Sequence, residues 1–138
     1  MRSQARSATF GDLTTDELYA ILALRVRVFV VEQECAYQEL DGLDAVAEHW
    51  WVPGSPVAAY LRVLPDGAAT RIGRVVTAPE HRGRGLGAAL MRAALSSIKG
   101  DVVLDAQVRV RRFYERLGFV VDGPEHDEDG ISHVRMRR

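Results

Sequence analysis

The sequence predicts an α+β layered fold, in which helices pack against a central sheet. Three strand-like segments follow one another, and turn residues separate them. The strands are expected at residues 47–52, 57–64 and 71–77, and the turns at 53–56 (Pro-Gly-Ser-Pro) and 65–67 (Pro-Asp-Gly). Such short connections give an antiparallel meander. A glycine-rich loop then leads into an amphipathic helix, whose apolar or small residues recur at helical spacing from Gly87 onward.

The segment before the meander is expected to form a short strand at residues 5–10 and a helix. Thr14 and Glu17 have the spacing of a capping box, and the helix is expected to continue to about Val30 or Val31. Arg25 lies on the inward stripe of this helix, and a buried guanidinium needs partners. It either pairs with a carboxylate in the core or points into a ligand cleft.

The remaining elements are a short apolar strand, a helix with one apolar face, and two strands around an acidic turn. In chain order they are expected at residues 102–106, 110–117, 119–122 and 131–136, with the turn at 125–130. Gly118 follows the helix directly, where a glycine commonly ends it.

Length and composition indicate one globular domain spanning residues 1–138, with 47% hydrophobic and 27% charged residues. Residues 1–6 have no apolar segment behind them, and no uncharged run is long enough to span a bilayer. Neither a secretory signal nor a membrane partner is therefore expected. The single cysteine, Cys35, excludes an internal disulfide and fits a cytoplasmic location.

The net charge of −1 conceals an asymmetry between the two halves of the chain. Residues 1–70 hold five basic and ten acidic side chains, whereas residues 71–138 hold thirteen and nine. The positive excess lies around the glycine loop and the helix near residues 109–116. It suits a small polyanion better than a nucleic acid, which would need a broader basic face and stacking aromatics.

The glycine loop has the features of an anion site. The first amides of a helix have no partner within it, and the helix dipole places partial positive charge there. Arg82 and Arg84 add two guanidiniums that can bind phosphate oxygens. A diphosphate is the natural ligand. The loop lacks the Gly-Lys-Ser/Thr ending of a Walker A motif and the glycine spacing of the dinucleotide fingerprint.

Arg82-Gly83-Arg84-Gly85-Leu86-Gly87 resembles the Arg/Gln-x-x-Gly-x-Gly/Ala signature of the GNAT N-acetyltransferase superfamily. The resemblance implies a mixed, mostly antiparallel central sheet flanked by helices, with acetyl-coenzyme A as cosubstrate and its diphosphate on this loop. A second segment is similar to the ElaA-like branch of the superfamily: Arg25-x-x-Val28-Phe29-Val30-Val31-Glu32-Gln33, then Cys35, Tyr37, Glu39, Asp41-Gly42 and Asp44.

The same resemblance implies roles for individual residues. The pantetheine arm would lie along Val75, Val76 and Thr77 as an added strand, with an amide near Val76 as oxyanion donor. Phe113-Tyr114-Glu115-Arg116-Leu117-Gly118-Phe119 matches the family's last helix, in which a tyrosine lies near the coenzyme sulfur. Tyr114 would therefore protonate the leaving thiolate. Gln107 occupies the place of an asparagine that contacts the coenzyme.

Direct acetyl transfer to an amine also needs a base, because an alkylammonium with a pKa of about 10.4 is not nucleophilic at neutral pH. Glu32, His49 and His133 are the candidates. Six carboxylates and no lysine or arginine lie between residues 32 and 48. They form either a solvated loop or the wall of an acceptor site that selects a cationic amine, on a small molecule or a peptide.

Three other possibilities differ in class. Cys35 could carry the acyl group, although its acidic surroundings disfavour a thiolate. The chain could bind coenzyme A without catalysis, as a sensor or interaction module, or could use a longer acyl-coenzyme A. No metal is expected, since the spacing of His126, Asp127, Asp129 and His133 matches no zinc or calcium pattern. The sequence leaves monomer and homodimer open.

Overall fold

A seven-stranded sheet forms the centre of the fold. Its strands are β1 Arg6–Thr9, β2 Glu48–Pro53, β3 Val57–Asp66, β4 Ala69–Thr77, β5 Val102–Gln107, β6 Val120–Glu128 and β7 Ile131–Arg137. The helices are α1 Thr15–Arg25, α2 Leu86–Ser96 and α3 Arg111–Glu115. The strand order is β1-β2-β3-β4-β5-β7-β6, and only β4 and β5 pair in parallel. This mixed, mostly antiparallel sheet with flanking helices confirms the predicted fold class.

The computed structural model describes residues 4–138. Residues 1–3 lie outside the described residues. They belong to the segment in which no secretory signal is expected and to the start of the predicted domain. Among the residues that are described, no helix has both the length and the apolar character needed to cross a membrane.

The first helix begins as the sequence predicts. Thr14 Oγ1 accepts from the Glu17 amide at 3.1 Å, and Glu17 Oε1 accepts from the Thr14 amide at 2.9 Å, so the capping box is complete. After Arg25 the chain winds as a π-helix over Val26–Glu32. Four of those seven residues are valines, whose branched side chains crowd the preceding turn of an α-helix. The expected extent is therefore confirmed, but the last turns are wider than predicted.

Two apolar layers cover the opposite faces of the sheet. One packs Leu90, Met91 and Leu95 of α2 against Leu61 and other residues of the strands. The second layer packs α1 against alternate strand side chains, and its members are Ile21, Leu24, Val28, Trp51, Val57, Tyr60, Val76 and Ala78. Alternation along each strand thus places α1 and α2 on different faces.

The acidic segment near the C-terminus differs from the prediction. Residues 125–128, expected within a turn, continue β6 and pair with β7, and only Asp129 and Gly130 form the turn. A register shift between Val121 and Glu125 accommodates the residues between them. β6 is the edge strand and its side chains are exposed, so pairing with β7 costs the carboxylates no hydration.

The helix after β5 is shorter than expected, since a 3₁₀ turn at Val108–Val110 precedes α3. Gly118 ends it as predicted, with φ of +93°. The Phe119 amide donates to Tyr114 O at 3.1 Å, which is the bond of a Schellman ending.

Candidate active site

Two neighbouring strands diverge and open a cleft in the sheet. β4 and β5 pair only at Thr70–Val102 and Arg71–Val103, and beyond these pairs they separate. The cleft has a volume of about 1050 Å³, and residues of β4, the glycine loop, β5, α3 and the β6–β7 turn line it. This volume is at the upper end of small-ligand sites and leaves room for a large ligand and a second reactant.

The glycine loop leads into the first turn of α2, whose amides have no hydrogen-bond partner within the helix. Gly85 is the N-cap with φ of +75°, a conformation that favours glycine, and the first backward bond runs from the Ala89 amide to Gly85 O at 3.0 Å. The amides of residues 86–88 therefore remain available to a ligand. A Cβ built on Gly85 would meet no atom within 4 Å, so the space beside it is open.

The cleft edge of β4 is shaped by a bulge. Tyr60 pairs with Val76 and Arg62 with Gly73, which leaves Arg74 and Val75 opposite one residue, and Arg74 has φ of +54°. This bulge could not be predicted from the residues, because arginine rarely adopts a positive φ.

Backbone direction along β4 follows from one hydrogen bond. The Ala78 amide donates to Ala58 O at 2.8 Å, and N–H and C=O directions alternate along an antiparallel strand. Val76 therefore turns its backbone groups toward β3, and Thr77 turns its groups into the cleft. Because the peptide bond is trans, the Val75 carbonyl points opposite to the Val76 amide and also faces the cleft. Thr77 O accordingly accepts from Arg82 Nε at 3.2 Å.

The two loop arginines differ in their contacts. Arg82 donates from both terminal nitrogens to Glu32, at 2.7 and 2.9 Å. The hydrogen bond from Arg82 lowers the pKa of Glu32. Arg84 is exposed, and no ion pair to it exists in the described chain.

Tyr114 lines the cleft from α3 and is 8% exposed. Burial raises the pKa of its phenol, so the hydroxyl stays protonated at neutral pH. Phe113 and Phe119 pack edge-on against its ring, with centroids at 5.0 and 6.1 Å. A protonated phenol in this position can supply a proton to a leaving group.

Gln107 lies at the end of β5 and also lines the cleft. Its side-chain amide donates to Gln33 Oε1 at 3.2 Å, and its oxygen accepts from Arg109 Nε at 3.0 Å. The pairing with Gln33 could not be read from residues that are 74 positions apart.

The three base candidates have different surroundings. His49 is fully buried outside the cleft; its Nε2 donates to Asp44 O at 2.9 Å and its Nδ1 accepts from Tyr60 at 2.6 Å. Burial lowers the pKa of His49. Both ring nitrogens make hydrogen bonds within the protein, so neither is available to take a proton from a substrate in the cleft. Glu32 lines the cleft, but its carboxylate is engaged by Arg82, which makes it a poor proton acceptor.

His133 differs from the other two candidates, because it lines the cleft and has no ion pair in the described structure. It is half-buried, lines the cleft, and places Nδ1 at 2.7 Å from Ile131 O. A carbonyl oxygen only accepts, so Nδ1 carries a proton, and the tautomer that makes this bond has its lone pair on Nε2.

The part of the acidic segment at residues 39–44 lies outside the cleft and binds three arginines. Glu39 accepts from Arg25 Nε at 2.9 Å, and its Oε2 lies 2.7 Å from Arg74 Nε. Asp41 accepts from Arg62 Nη1 at 2.9 Å, and Asp44 accepts from Arg25 Nη1 at 2.7 Å. Arg25 thus pairs with core carboxylates, the first of its two predicted environments. Three of the six loop carboxylates are neutralised here and do not line the cleft.

Comparison with known proteins agrees with this geometry. Residues 14–138 match the family model described as an acetyltransferase (GNAT) domain. The chain is 44% identical to a UPF0039 protein of Mycobacterium tuberculosis, with 100% of this chain and 94% of the relative covered. Protein ElaA of Escherichia coli is 36% identical, with coverages of 93% and 91%.

Solved structures show the same relationship. An acyl-CoA N-acyltransferase of Pseudomonas aeruginosa superposes with a TM-score of 0.92 at 41% identity, over 99% of both chains. The crystal structure of Escherichia coli ElaA gives 0.90 at 32% identity, again over 99% of both chains. The resemblance identified from the glycine loop and the first-helix segment is confirmed: the chain belongs to the GNAT acetyltransferase family, on its ElaA-like branch, as an acyl-CoA-dependent N-acetyltransferase.

Proposed function

We propose that this chain transfers the acetyl group of acetyl-CoA directly to a primary amine. The observation that carries the proposal is the cleft between β4 and β5, which joins free helix amides at one end to the Tyr114 hydroxyl within it. One ligand with a diphosphate and a thioester on an extended arm would use both features.

The coenzyme would lie along the cleft in three parts. Its diphosphate binds the amides of residues 86–88, with Arg82 and Arg84 beside them. Its pantetheine arm adds a strand to the open edge of β4, where Val75 and Thr77 offer backbone groups. Gln107 faces the arm from β5.

The reaction then needs one donor, one base and one acid. The amine nitrogen bonds to the thioester carbonyl carbon, and the oxyanion that forms accepts from a β4 amide. We assign this donor to Val75 rather than Val76, because the Val76 amide points to β3. The carbon–sulfur bond breaks, Tyr114 gives its proton to the thiolate, and His133 Nε2 takes the proton that the amine loses. Solvent returns a proton from His133 to Tyr114, so N-acetylamine and free coenzyme A are the products.

We further propose that the acceptor amine is cationic, because carboxylates lie in the cleft at and next to the β6–β7 turn. Glu128 and Asp129 line the cleft beside His133 and are exposed. Asp105 lines it as well, but an ion pair with Arg71 compensates its charge. The carboxylates of residues 39–44 bind arginines and do not line the cleft, and Glu128 binds His126 Nε2 at 2.6 Å. Among the described carboxylates that line the cleft, Asp129 is therefore the one left without an ion pair to attract an ammonium, on a small molecule or a peptide.

Thiol release tests the proposal. Purified protein with acetyl-CoA should release free coenzyme A with polyamines or lysine peptides, and more slowly with amines that carry carboxylates. Coenzyme binding without thiol release for any amine would identify a non-catalytic coenzyme A module. Apolar cleft residues such as Val28, Phe29 and Ile131 favour one second candidate, a longer acyl donor, which faster release from octanoyl-CoA would reveal.

A further inference from the structure

A short segment after α1 borders the cleft and makes three contacts to its walls. We call residues 32–35 the strap. Glu32 binds Arg82 of the glycine loop, Gln33 accepts from Gln107 of β5, and the Cys35 thiol lies 3.3 Å from Asp129 O of the β6–β7 turn. The strap is therefore bonded to three different walls of the same cleft.

Two of these wall residues belong to the coenzyme path. The two terminal nitrogens of Arg82 donate to the two carboxylate oxygens of Glu32, and a phosphate would bind the same two nitrogens. Gln33 takes one donor position of the Gln107 amide, and Arg109 takes one acceptor position. The Glu32 carboxylate thus occupies the terminal nitrogens that a diphosphate would use, and Gln33 takes part of the hydrogen-bonding capacity of Gln107.

We propose that Glu32 is a displaceable latch: its carboxylate occupies Arg82 in the coenzyme-free protein, and the coenzyme diphosphate replaces it and releases the strap from the glycine loop. This inference rests on the proposed function, because it assumes that Arg82 faces the diphosphate. It assigns Glu32 a positioning role in place of the predicted role as base.

The exchange is feasible because the latch is exposed and weak. The side chains of Arg82 and Glu32 are 44% and 43% exposed, and exposed pairs contribute little. A diphosphate carries more charge than one carboxylate and gains the free amides of residues 86–88 in addition. A carboxylate left in place would repel it. Removing the charge of Glu32 should therefore tighten coenzyme binding about two- to fivefold.

The chain provides a matched control. Glu80 precedes the same glycine loop and binds Arg27 through both oxygens, each at 2.9 Å, so it forms a similar exposed pair beside the same loop. Glu80→Gln removes the same charge without touching Arg82. Its coenzyme affinity should change less than twofold.

Calorimetric titration of coenzyme A into the full chain at low salt tests the latch. Glu32→Gln should lower Kd by about two- to fivefold relative to wild type, and the gain should vanish when Arg82→Gln is also present. Affinity unchanged or weakened in Glu32→Gln, or the same gain in the Arg82→Gln background, would overturn the latch while coenzyme binding itself stands. Wild type without any heat would instead overturn the proposed function, and the latch with it.

Discussion

Glu39→Gln is the change to which the folded chain should be most sensitive. Glu39 is 3% exposed, and its carboxylate lies between two guanidiniums: Arg25 donates to it at 2.9 and 3.1 Å, and Arg74 Nε lies at 2.7 Å. Arg25 itself is fully buried. The variant keeps the volume and one oxygen but turns an amide N–H₂ toward donors.

Breaking a buried ion pair from one side costs about 3–5 kcal/mol, because the remaining charge stays buried. Asp44 still binds Arg25 at 2.7 Å, which places the expected loss at the lower end, about 3 kcal/mol. Such a loss is a large fraction of a typical domain stability of about 5–15 kcal/mol. At a urea m-value of about 2 kcal/mol per molar, the midpoint should fall by about 1.5 M.

Urea unfolding followed by circular dichroism measures this loss, with Glu80→Gln as the control whose midpoint should match wild type. A loss below about 1 kcal/mol in Glu39→Gln would show that the arginine–carboxylate cluster is hydrated rather than buried. It would refute the assignment of the acidic loop to a structural role.

Three further predictions concern chemistry and pH. Tyr114→Phe should lower kcat about 10²-fold or more without changing the KM for acetyl-CoA, measured by thiol release; an unchanged kcat would exclude Tyr114 as the acid. His133→Asn keeps a donor for Ile131 O but has no lone-pair nitrogen, so kcat should fall at neutral pH and recover as rising pH deprotonates the amine; a uniform loss at every pH would contradict the base. The hydrogen bond from Arg62 holds the pKa of Asp41 well below its usual range, so the contribution of this carboxylate to the unfolding free energy, measured in urea, should be constant above about pH 5 and be lost as pH falls below about 4. Burial lowers the pKa of His49, which adds an earlier decline below about pH 6.5 that Asp41→Asn should leave unchanged. An acid decline below about pH 4 that persists in full in Asp41→Asn would contradict the role of Asp41.

Local signals in the sequence predicted much of this molecule. The capping box at Thr14, the turn at residues 53–56 and the glycine after α3 each depend on neighbours within a few residues, and each is present in the structure. The second turn of the meander is displaced from residues 65–67, because Pro65 and Asp66 continue β3 and the turn falls at residues 67 and 68. The glycine loop belongs to the same class, since spacing alone determines that free amides follow Gly85.

Contacts between distant residues could not be predicted in the same way. Glu39 meets Arg74 across 35 positions, and Glu32 meets Arg82 across 50. The carboxylates of residues 32–48 are interpreted from the sequence as either a solvated loop or a wall of the acceptor site. Their arginine partners could not be identified from the sequence, because one lies on α1 and two lie in the meander. An arginine in an otherwise apolar strand, such as Arg62 in residues 57–64, was the feature of the sequence that indicated a carboxylate partner.

The bulge at Arg74 and the divergence of β4 from β5 were also beyond local reasoning. Both depend on how strands pair, and a one-residue irregularity leaves no composition trace when the residue is not glycine. The direction of the Val76 backbone groups toward β3 could therefore not be predicted from the sequence.

Amide chemical shifts of ¹⁵N-labelled protein during titration with coenzyme A locate the coenzyme site. If the diphosphate binds the free amides at the start of α2, the signals of Gly83, Gly85, Gly87 and Thr77 should move in a saturable manner, while those of β1 stay in place. Unmoved loop signals at millimolar coenzyme A, or shifts confined to another surface, would exclude the glycine loop as the coenzyme site.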